Sequence, residues 1–257
     1  MQIQNISSTN YYNKTQSPNF KSWTREVLHK NSDPYGFVKL VKHRNDTWLF
    51  RECLDWKRFG NFLVEKYKDI PKVNVFNYAC SNGSEAYTFL MEIFSHHGYS
   101  IATKFTPIYA KDYDQTAIDY AESGLITIEE GEKGSVNLNT EGRFPMFFIE
   151  SDLPEKNLYE TRHILSNNVV FSNANILDDY KTMPKDNTVV LARNFWPYLK
   201  YNERIELAKN LFNHLGNNCT LVIGKFDNIG SWDNTPTRQI LESAGFKQTQ
   251  IENVFTK

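Results

Sequence analysis

The sequence predicts an α/β protein built on an open, mostly parallel sheet with helices on both faces. From residue 73 onward, short apolar segments with strand character alternate with longer segments whose apolar residues recur at helical spacing. Such alternation favours parallel strands, because each helix returns the chain to the same end of the sheet. Polar residues follow each predicted strand, at the edge where sheets of this kind bind ligands. The sequence therefore predicts a functional site at that edge.

The first 72 of the 257 residues precede the alternating pattern. Residues 1–19 are rich in polar side chains and predict a mobile tail. Residues 20–72 predict a short helical N-terminal cap, which the turn sequence Asp33-Pro34-Tyr35-Gly36 interrupts. The later part of this cap carries aromatic and apolar residues from Trp56 to Tyr67 at helical spacing, and we expect them to enter the core.

Residues 73–257 form the predicted α/β domain. Its strands are expected at 73–79, 107–110, 169–174, 188–192 and 220–226, with terminal strand material at 246–255. Its helices are expected at 84–97, 116–122 and 201–215. A last helix is expected to begin at Thr235-Pro236 and to end at Gly245. Residues 124–168 break the alternation and predict a small insertion.

Charge and cysteine content exclude several classes of function. The formal net charge is −1, which excludes a globally basic nucleic-acid binder. No apolar run approaches the ~18 residues that a membrane span needs. From the charge we expect no nucleic acid as a partner, and from the lack of such a run we expect no membrane. The three cysteines are widely spaced and form no CxxC pair, which predicts no disulfide framework, no metal site and a reducing cytoplasm.

The charge is unevenly distributed along the chain. Residues 1–72 carry a net charge of +6, and residues 73–257 carry −7. Two interpretations of the positive charge of residues 1–72 stay open. The basic residues form an ordinary solvated face, or they form an N-terminal surface that meets an acidic partner.

The segment that follows the first predicted strand contains a single glycine, Gly83, and leads into a helix at Ser84. A dinucleotide-binding loop needs three glycines and a phosphate-binding P-loop needs Gly-Lys-Ser/Thr, so this loop suits a ligand with little or no phosphate. Asp112 ends the second strand, where an acidic side chain typically accepts hydrogen bonds from a ribose, although it could equally cap a helix. Together, the loop and Asp112 point to S-adenosylmethionine.

The order of five sequence blocks makes the prediction of this cofactor site more specific. They are Asn45-Asp46-Thr47-Trp48-Leu49-Phe50-Arg51-Glu52, Ala79-Cys80-Ser81-Asn82-Gly83-Ser84-Glu85-Ala86-Tyr87, Ala110-Lys111-Asp112-Tyr113-Asp114, Phe171-Ser172-Asn173-Ala174-Asn175-Ile176-Leu177 and Ala192-Arg193-Asn194-Phe195-Trp196-Pro197-Tyr198-Leu199. From about residue 45 to 226 the chain resembles the CheR-type methyltransferases, which methylate glutamates of chemotaxis receptors. The resemblance implies a Rossmann-like class I methyltransferase fold, S-adenosylmethionine as cofactor and S-adenosylhomocysteine as product.

The resemblance also implies roles for individual residues. Those that would bind the cofactor are Asn45, Thr47, Arg51, Ala79, Gly83, Glu85, Asp112, Asn175, Ile176, Arg193 and Asn194. Glu85 would accept from the ammonium of the methionine part, Asp112 would hold the ribose, and Asn175 with Ile176 would bracket the adenine. Arg51 and Tyr198 would be catalytic, with Arg51 facing an acceptor carboxylate and Tyr198 close to the methyl group.

The sequence departs from the family pattern in three places. Gly224-Lys225-Phe226-Asp227 stands where the family carries Gly-His-Ser-Glu, and the N-terminal helical region is short. The C-terminus also leaves little room for a final hairpin. Three functions therefore stay open: methylation of a protein glutamate or small acid, methylation of a different acceptor, and sensing of S-adenosylmethionine or its product without catalysis.

Overall fold

The structure, a computed structural model, describes residues 25–32, 38–45, 47–51, 54–229 and 235–257. The predicted polar tail at 1–19 lies outside these residues. The described N-terminal part contains strand β1 (Arg25–Ser32), strand β2 (Val38–Asn45) and helix α1 (Trp56–Lys66). Asp55 caps α1, since its side chain accepts from the backbone N–H of Arg58 at 2.9 Å.

The remaining elements follow in chain order. The strands are β3 (Asn74–Tyr78), β4 (Ile108–Asp112), β5 (Leu125–Thr127), β6 (Phe148–Glu150), β7 (Leu158–Thr161), β8 (Val169–Asn173), β9 (Thr188–Ala192), β10 (Cys219–Val222), β11 (Lys247–Gln248) and β12 (Val254–Thr256). The helices are α2 (Ser84–Ala102), α3 (Gln115–Glu122), α4 (Glu130–Asn139), α5 (Phe144–Phe147), α6 (His163–Ser166), α7 (Ile176–Asp179), α8 (Tyr201–His214) and α9 (Thr237–Ala244). Short 3₁₀ turns occupy Trp196–Tyr198 and Lys225–Asn228.

The central sheet has seven strands in the order β11-β12-β10-β9-β3-β4-β8. The five strands from β10 to β8 are parallel, and β12 pairs antiparallel with β10 and β11. The chain moves outward from β3 through β4 to β8, and then from β9 outward through β10 on the other side. The strand order therefore reverses between β3 and β9, which opens a crevice at the carboxyl ends of these strands.

Alternate residues of the central strands enter two cores, one on each face of the sheet. Val75 of β3 and Leu191 of β9 join the core that α1 and α2 cover, whereas Phe76 and Val190 join the core under α8 and α9. Burying such side chains contributes about 1.5–3 kcal/mol each. Burial on both faces explains why these strands are apolar along most of their length, and the sheet has the mostly parallel, doubly wound form that the sequence predicts.

The N-terminal region differs from the prediction. The sequence predicts helices on both sides of a break within residues 20–72, but the described part pairs β1 with β2 as an antiparallel hairpin in which Val27 lies opposite His43. The prediction was wrong because Asp33-Pro34-Tyr35-Gly36 was treated as a break between helices. The same residues favour a turn that joins two strands. Helix α1 confirms the helical prediction for the later part of the region.

The insertion at 124–168 contains a second, antiparallel sheet in the order β5-β7-β6, together with α4 and α5. Tyr159 of β7 contacts Phe144 edge to face, with the ring centroids 5.2 Å apart. Phe144 lies equally close to Phe148, so a small aromatic core holds the insertion together.

Three boundaries near the C-terminus also differ from expectation. The strand predicted at 220–226 ends at Val222, because residues Lys225–Asn228 turn into a 3₁₀ helix. Helix α9 begins at Thr237 with Pro236 in the N-cap position, and Gly245 ends it with φ +114°, as predicted. Residues 246–255 form no single strand. Instead β11 and β12 make a short final hairpin, for which the sequence was expected to leave little room.

None of the helices in the described parts of the chain combines the length and the apolar character that crossing a bilayer requires.

Candidate active site at the carboxyl ends of the strands

The loop between β3 and α2 is held in an unusual backbone conformation. Ala79, Ser81 and Gly83 all have positive φ angles, of 53°, 55° and 83°. A Cβ atom at Gly83 would lie 2.7 Å from Cζ of Phe171, so a side chain there would collide with the ring of this β8 residue. Positive φ is costly for residues other than glycine, which means that the surrounding contacts impose this loop shape.

Asp112 joins this loop to the next one. One of its carboxylate oxygens accepts from the backbone N–H of Ser81 at 2.8 Å, and the other accepts from the N–H of Asp114 at 2.9 Å. Asp114, not Asp112, caps helix α3 by accepting from the N–H of Thr116. The helix-cap interpretation of Asp112 is therefore wrong. A carboxylate oxygen accepts more than one hydrogen bond, so Asp112 has the chemistry to accept from the hydroxyl groups of a ligand as well.

Glu85 lies in the first turn of α2 and forms the electrostatic centre of the site. Its Oε1 accepts from Nδ2 of Asn77 at 2.9 Å, and its Oε2 accepts from Nη1 of Arg193 at 2.5 Å. Burial raises the pKa of Glu85, and the guanidinium of Arg193 and the more distant one of Arg51 offset part of this rise. The Glu85 side chain is 14% exposed and that of Arg193 is 1% exposed, so Glu85 is the more accessible member of the pair.

Arg193 follows β9 and connects the site with the N-terminal region. Its guanidinium carbon lies 5.3 Å from the ring centroid of Trp56, the first residue of α1. Its Nε is buried and has no hydrogen-bond partner among the described residues. The ring and Glu85 together keep this buried cation in one orientation.

Arg51 approaches the same carboxylate from the segment before α1. Its Cζ lies 4.6 Å from the ring centroid of Trp48 and 5.4 Å from that of Phe226. The backbone N–H of the preceding Phe50 donates to Oγ1 of Thr88 on α2 at 2.9 Å. The 47–51 segment is thus anchored to α2, and two aromatic rings flank the Arg51 guanidinium.

Asp227 is a site residue for which the sequence analysis predicted no role. It is fully buried in the turn after β10. Its Oδ2 accepts from the backbone N–H groups of Asn194 at 2.8 Å and Gly224 at 2.6 Å, and its Oδ1 accepts from that of Trp196 at 3.2 Å. Burial raises its pKa to about 7, against the lowering effect of these N–H groups and of Arg193. The departure from the family run at 224–227 was the signal that could have drawn attention to it.

Asn194 has a φ of 63° and packs closely on Gly224. A Cβ atom at Gly224 would collide with Oδ1 of Asn194, so the loops after β9 and β10 approach each other only because residue 224 is glycine.

Asn175 and Ile176 follow β8, as predicted. Oδ1 of Asn175 accepts from the N–H of Leu177 at 3.0 Å and caps α7. An amide oxygen has a second lone pair, so both Oδ1 and Nδ2 have the chemistry to meet an adenine. Ile176 is buried among the core residues under α8 and α9.

Three other predicted residues are described only by their exposure or by their position in the chain. The side chain of Tyr198 is 82% exposed on the turn after β9. Thr47 is half-buried beside Trp48 in the sequence. Asn45 ends β2, and its side chain lies outside the described part of the structure.

Comparison with known proteins adds an independent finding. A family described as CheR methyltransferase, SAM binding domain, matches residues 45–244. This range includes the 47–51 segment, all four loops that form the crevice, and the turn that carries Asp227.

Several solved structures are similar over most of the chain. A TehB-like SAM-dependent methyltransferase from Corynebacterium glutamicum is 15% identical over 77% of this chain and 86% of its own, with a TM-score of 0.39. The methyltransferase domain of the bacterial CtHen1-CN is 14% identical over 79% of this chain and 99% of its own, with a TM-score of 0.40. The N-methyltransferase NodS from Bradyrhizobium japonicum is 12% identical over 80% of this chain and 96% of its own, with a TM-score of 0.40.

Proposed function

The chain belongs to the CheR family of S-adenosylmethionine-dependent methyltransferases, and from this premise we propose that it methylates a carboxylate oxygen, with a protein glutamate side chain as the first candidate acceptor. Family membership and the sheet order confirm the predicted Rossmann-like class I methyltransferase fold. They also confirm S-adenosylmethionine as the predicted cofactor. The acceptor and the role of each residue are our proposals.

The residues at the crevice have the chemistry that this cofactor requires. The Glu85 carboxylate would accept from the ammonium group, and Asp112 would accept from the ribose hydroxyls. The unpartnered Nε of the buried Arg193 is a donor that fits an acidic group of the cofactor's amino-acid part. Asn175 and Ile176 would lie at the adenine, and the backbone from Ala79 to Gly83 would line the space between.

The position of Arg51 supports the proposal of a carboxylate acceptor. Its charge lies near enough to Glu85 to lower the pKa of that residue, and Trp48 and Phe226 flank its guanidinium. A guanidinium in a fixed plane makes bidentate pairs with carboxylates. We infer that Arg51 presents such a plane to the acceptor beside the cofactor's amino-acid group.

The reaction places modest chemical demands on the chain. The side chain of a solvent-exposed glutamate has a pKa of about 4.3, so its carboxylate is already a nucleophile at neutral pH and needs no general base from the protein. Bound S-adenosylmethionine supplies the electrophilic methyl group. The side chains have to align the acceptor and exclude water, and orientation of this kind lowers a barrier by up to about 7–11 kcal/mol.

Arg51 would bind the acceptor only moderately, because the acceptor's negative charge disappears as the ester forms. A strong ion pair in the ground state would therefore raise the barrier. Tyr198 projects from the turn after β9 with most of its ring exposed, and we propose that a bound acceptor covers this ring near the methyl group.

We propose a cytoplasmic location and an acceptor that is a protein or a small acid. The described thiols support the location: Cys80 and Cys219 are both free and buried, and burial raises the pKa of each. An acidic acceptor would suit the net charge of +6 that residues 1–72 carry.

Transfer of a radioactive methyl group tests the proposal. The purified chain is incubated with methyl-labelled S-adenosylmethionine and either a cell extract or a panel of small carboxylic acids. We expect label that dilute base releases as methanol, since methyl esters hydrolyse in base. Label that is stable in base would mean that the acceptor atom is nitrogen or carbon. Cofactor binding without transfer to any component would favour the sensor function.

A further inference from the structure

The turn after β10 reaches two parts of the candidate site at once. Phe226 of this turn lies against the guanidinium of Arg51, and the adjacent Asp227 points into the protein. No role in the site was predicted for Asp227 from the sequence. Its hydrogen bonds in the structure point to one.

The Asp227 carboxylate joins the loops that follow two neighbouring strands. It accepts hydrogen bonds from the backbone N–H groups of Asn194 and Trp196 after β9, and from that of Gly224 after β10. Arg193, which pairs with Glu85, immediately precedes Asn194 in the chain. The Asp227 carboxylate therefore fixes the backbone next to Arg193, the residue that carries the buried guanidinium.

We propose that Asp227 is a positioning residue for the cofactor site, which holds the 193–196 loop so that Arg193 meets the Glu85 carboxylate. The proposal deepens the proposed function and rests on it, since it assumes that Glu85 and Arg193 bind the amino-acid part of S-adenosylmethionine. Asp227 acts only through these residues and touches no ligand itself.

The negative charge of Asp227 is essential to this role. Both carboxylate oxygens accept N–H bonds, and Oδ2 accepts two of them. An asparagine has the same shape, but whichever way its amide turns, an NH₂ group would face at least one backbone N–H donor. Protonation of the carboxylate would weaken the same bonds, because hydrogen bonds to a charged acceptor are the stronger ones.

The charges around Asp227 are few in the described structure. Arg193 lowers its pKa from the β9 side. From α9, Oγ1 of Thr237 donates to the backbone oxygen of Asp227, and Arg204 of α8 donates to that same hydroxyl at 3.0 Å. With the pKa of Asp227 near 7, its carboxylate gains a proton as the pH falls from 8 to 6, and we expect the loop contacts to loosen over that range.

The test compares Asp227→Asn with a control that alters a buried hydrogen bond on β10, the strand that precedes the turn of Asp227. Thr220→Val removes the 3.1 Å contact between Oγ1 of Thr220 and the hydroxyl of Tyr67, at the opposite end of β10 from the site. The dissociation constant of S-adenosylhomocysteine is measured by calorimetry from pH 6 to pH 8.5 on protein that thermal unfolding shows to be folded.

At pH 8 we expect Asp227→Asn to weaken binding at least about tenfold, a change of about 1.4 kcal/mol. We expect Thr220→Val to remain within about twofold of the unaltered protein. Binding by the unaltered protein should weaken between pH 8 and pH 6, and this loss should be smaller in Asp227→Asn. A structural residue would lower the unfolding temperature without changing this pH profile.

A second measurement covers the case in which Asp227→Asn does not fold. In the unaltered protein, the amide proton resonances of Asn194 and Gly224 should titrate near pH 7 together with the change in affinity. Folded Asp227→Asn that binds within twofold of the unaltered protein, or resonances that do not follow the affinity, would overturn the positioning role. Failure of the unaltered protein to bind S-adenosylhomocysteine would instead overturn the assignment of the cofactor site itself.

Discussion

The two sides of the crevice are built by different kinds of contact. On the cofactor side, the polar groups of the loops after β3 and β4 bond to one another, as Asp112 does to the N–H groups of Ser81 and Asp114. On the proposed acceptor side, aromatic side chains flank Arg51 or stand exposed, as Tyr198 does. The first arrangement imposes one geometry. The second leaves surface that an acceptor can cover.

This difference indicates where the chain is specific. A network of backbone hydrogen bonds tolerates little change, because each bond fixes the position of a loop relative to its neighbour. Exposed rings can change with less loss of stability. We therefore expect variants on the cofactor side to reduce folding and cofactor affinity together, and variants on the acceptor side to reduce turnover alone.

The largest expected effect is at the buried ion pair. Arg193→Ala should lower the free energy of unfolding by about 3–5 kcal/mol, because it leaves the Glu85 carboxylate buried without its cation. Chemical denaturation measures this change. Glu85→Gln in the Arg193→Ala background serves as the control, and it should recover part of the loss. A double variant no more stable than Arg193→Ala would mean that the pair is not coupled as the 2.5 Å contact implies.

The loop glycine should show the next largest effect. Gly83→Ala combines a positive φ with a Cβ only 2.7 Å from Phe171, and we expect it to cost about 1–3 kcal/mol of stability and most of the cofactor affinity. Gly142→Ala is a matched control, since Gly142 has a φ of +80° but no atom within 4 Å of its Cβ position. Equal losses of stability in the two variants would mean that the close packing on Phe171 does not contribute to the loss in Gly83→Ala.

A smaller and more selective effect is expected at Asp112. Asp112→Ala should weaken cofactor binding at least about tenfold in calorimetry, a change of about 1.4 kcal/mol. Asp114→Ala is its control: it removes the cap of α3, which should cost about 1 kcal/mol of stability and leave the affinity unchanged. If the two variants bind the cofactor equally well, Asp112 only shapes the loops.

The smallest change in cofactor affinity is expected on the acceptor side. Arg51→Ala should lower turnover about tenfold and change cofactor affinity less than about threefold, because its role there is to orient the acceptor. Phe226→Leu keeps the apolar contact but removes the ring, and it should lower turnover less. Should Arg51→Ala weaken cofactor affinity as much as it lowers turnover, Arg51 belongs to the cofactor side and the contrast between the two sides fails.

Much of the fold followed from local patterns in the sequence. The limits of β9 at Thr188–Ala192 match the prediction, because a strand buried on both faces is an uninterrupted apolar run between turn residues. The N-terminal hairpin was missed because the residues around Asp33-Pro34-Tyr35-Gly36 suit either of two local structures. Short apolar segments often suit both a helix and a strand, and long-range packing decides which of the two forms.

The candidate site also contains some residues that local patterns predicted and some contacts that they did not predict. Gly83, Glu85 and Asp112 could be found in the sequence because each stands directly after a strand or at the start of a helix, where the ends of the elements meet. The contacts of Trp56 with Arg193, of Phe226 with Arg51, and of Asp227 with Asn194 join residues between 33 and 175 positions apart, so no local pattern reveals them.

By itself, the sequence determined the alternation of strands and helices, the family and the cofactor, since these depend on residues whose spacing repeats or whose position relative to a strand is visible in the chain. Only the tertiary structure decided that Glu85 has a buried cation as its partner, that two aromatic rings flank Arg51, and that a buried aspartate joins two loops. The physical reason is that burial and charge pairing arise between residues distant in sequence, and they exist only once the sheet has brought the loops together.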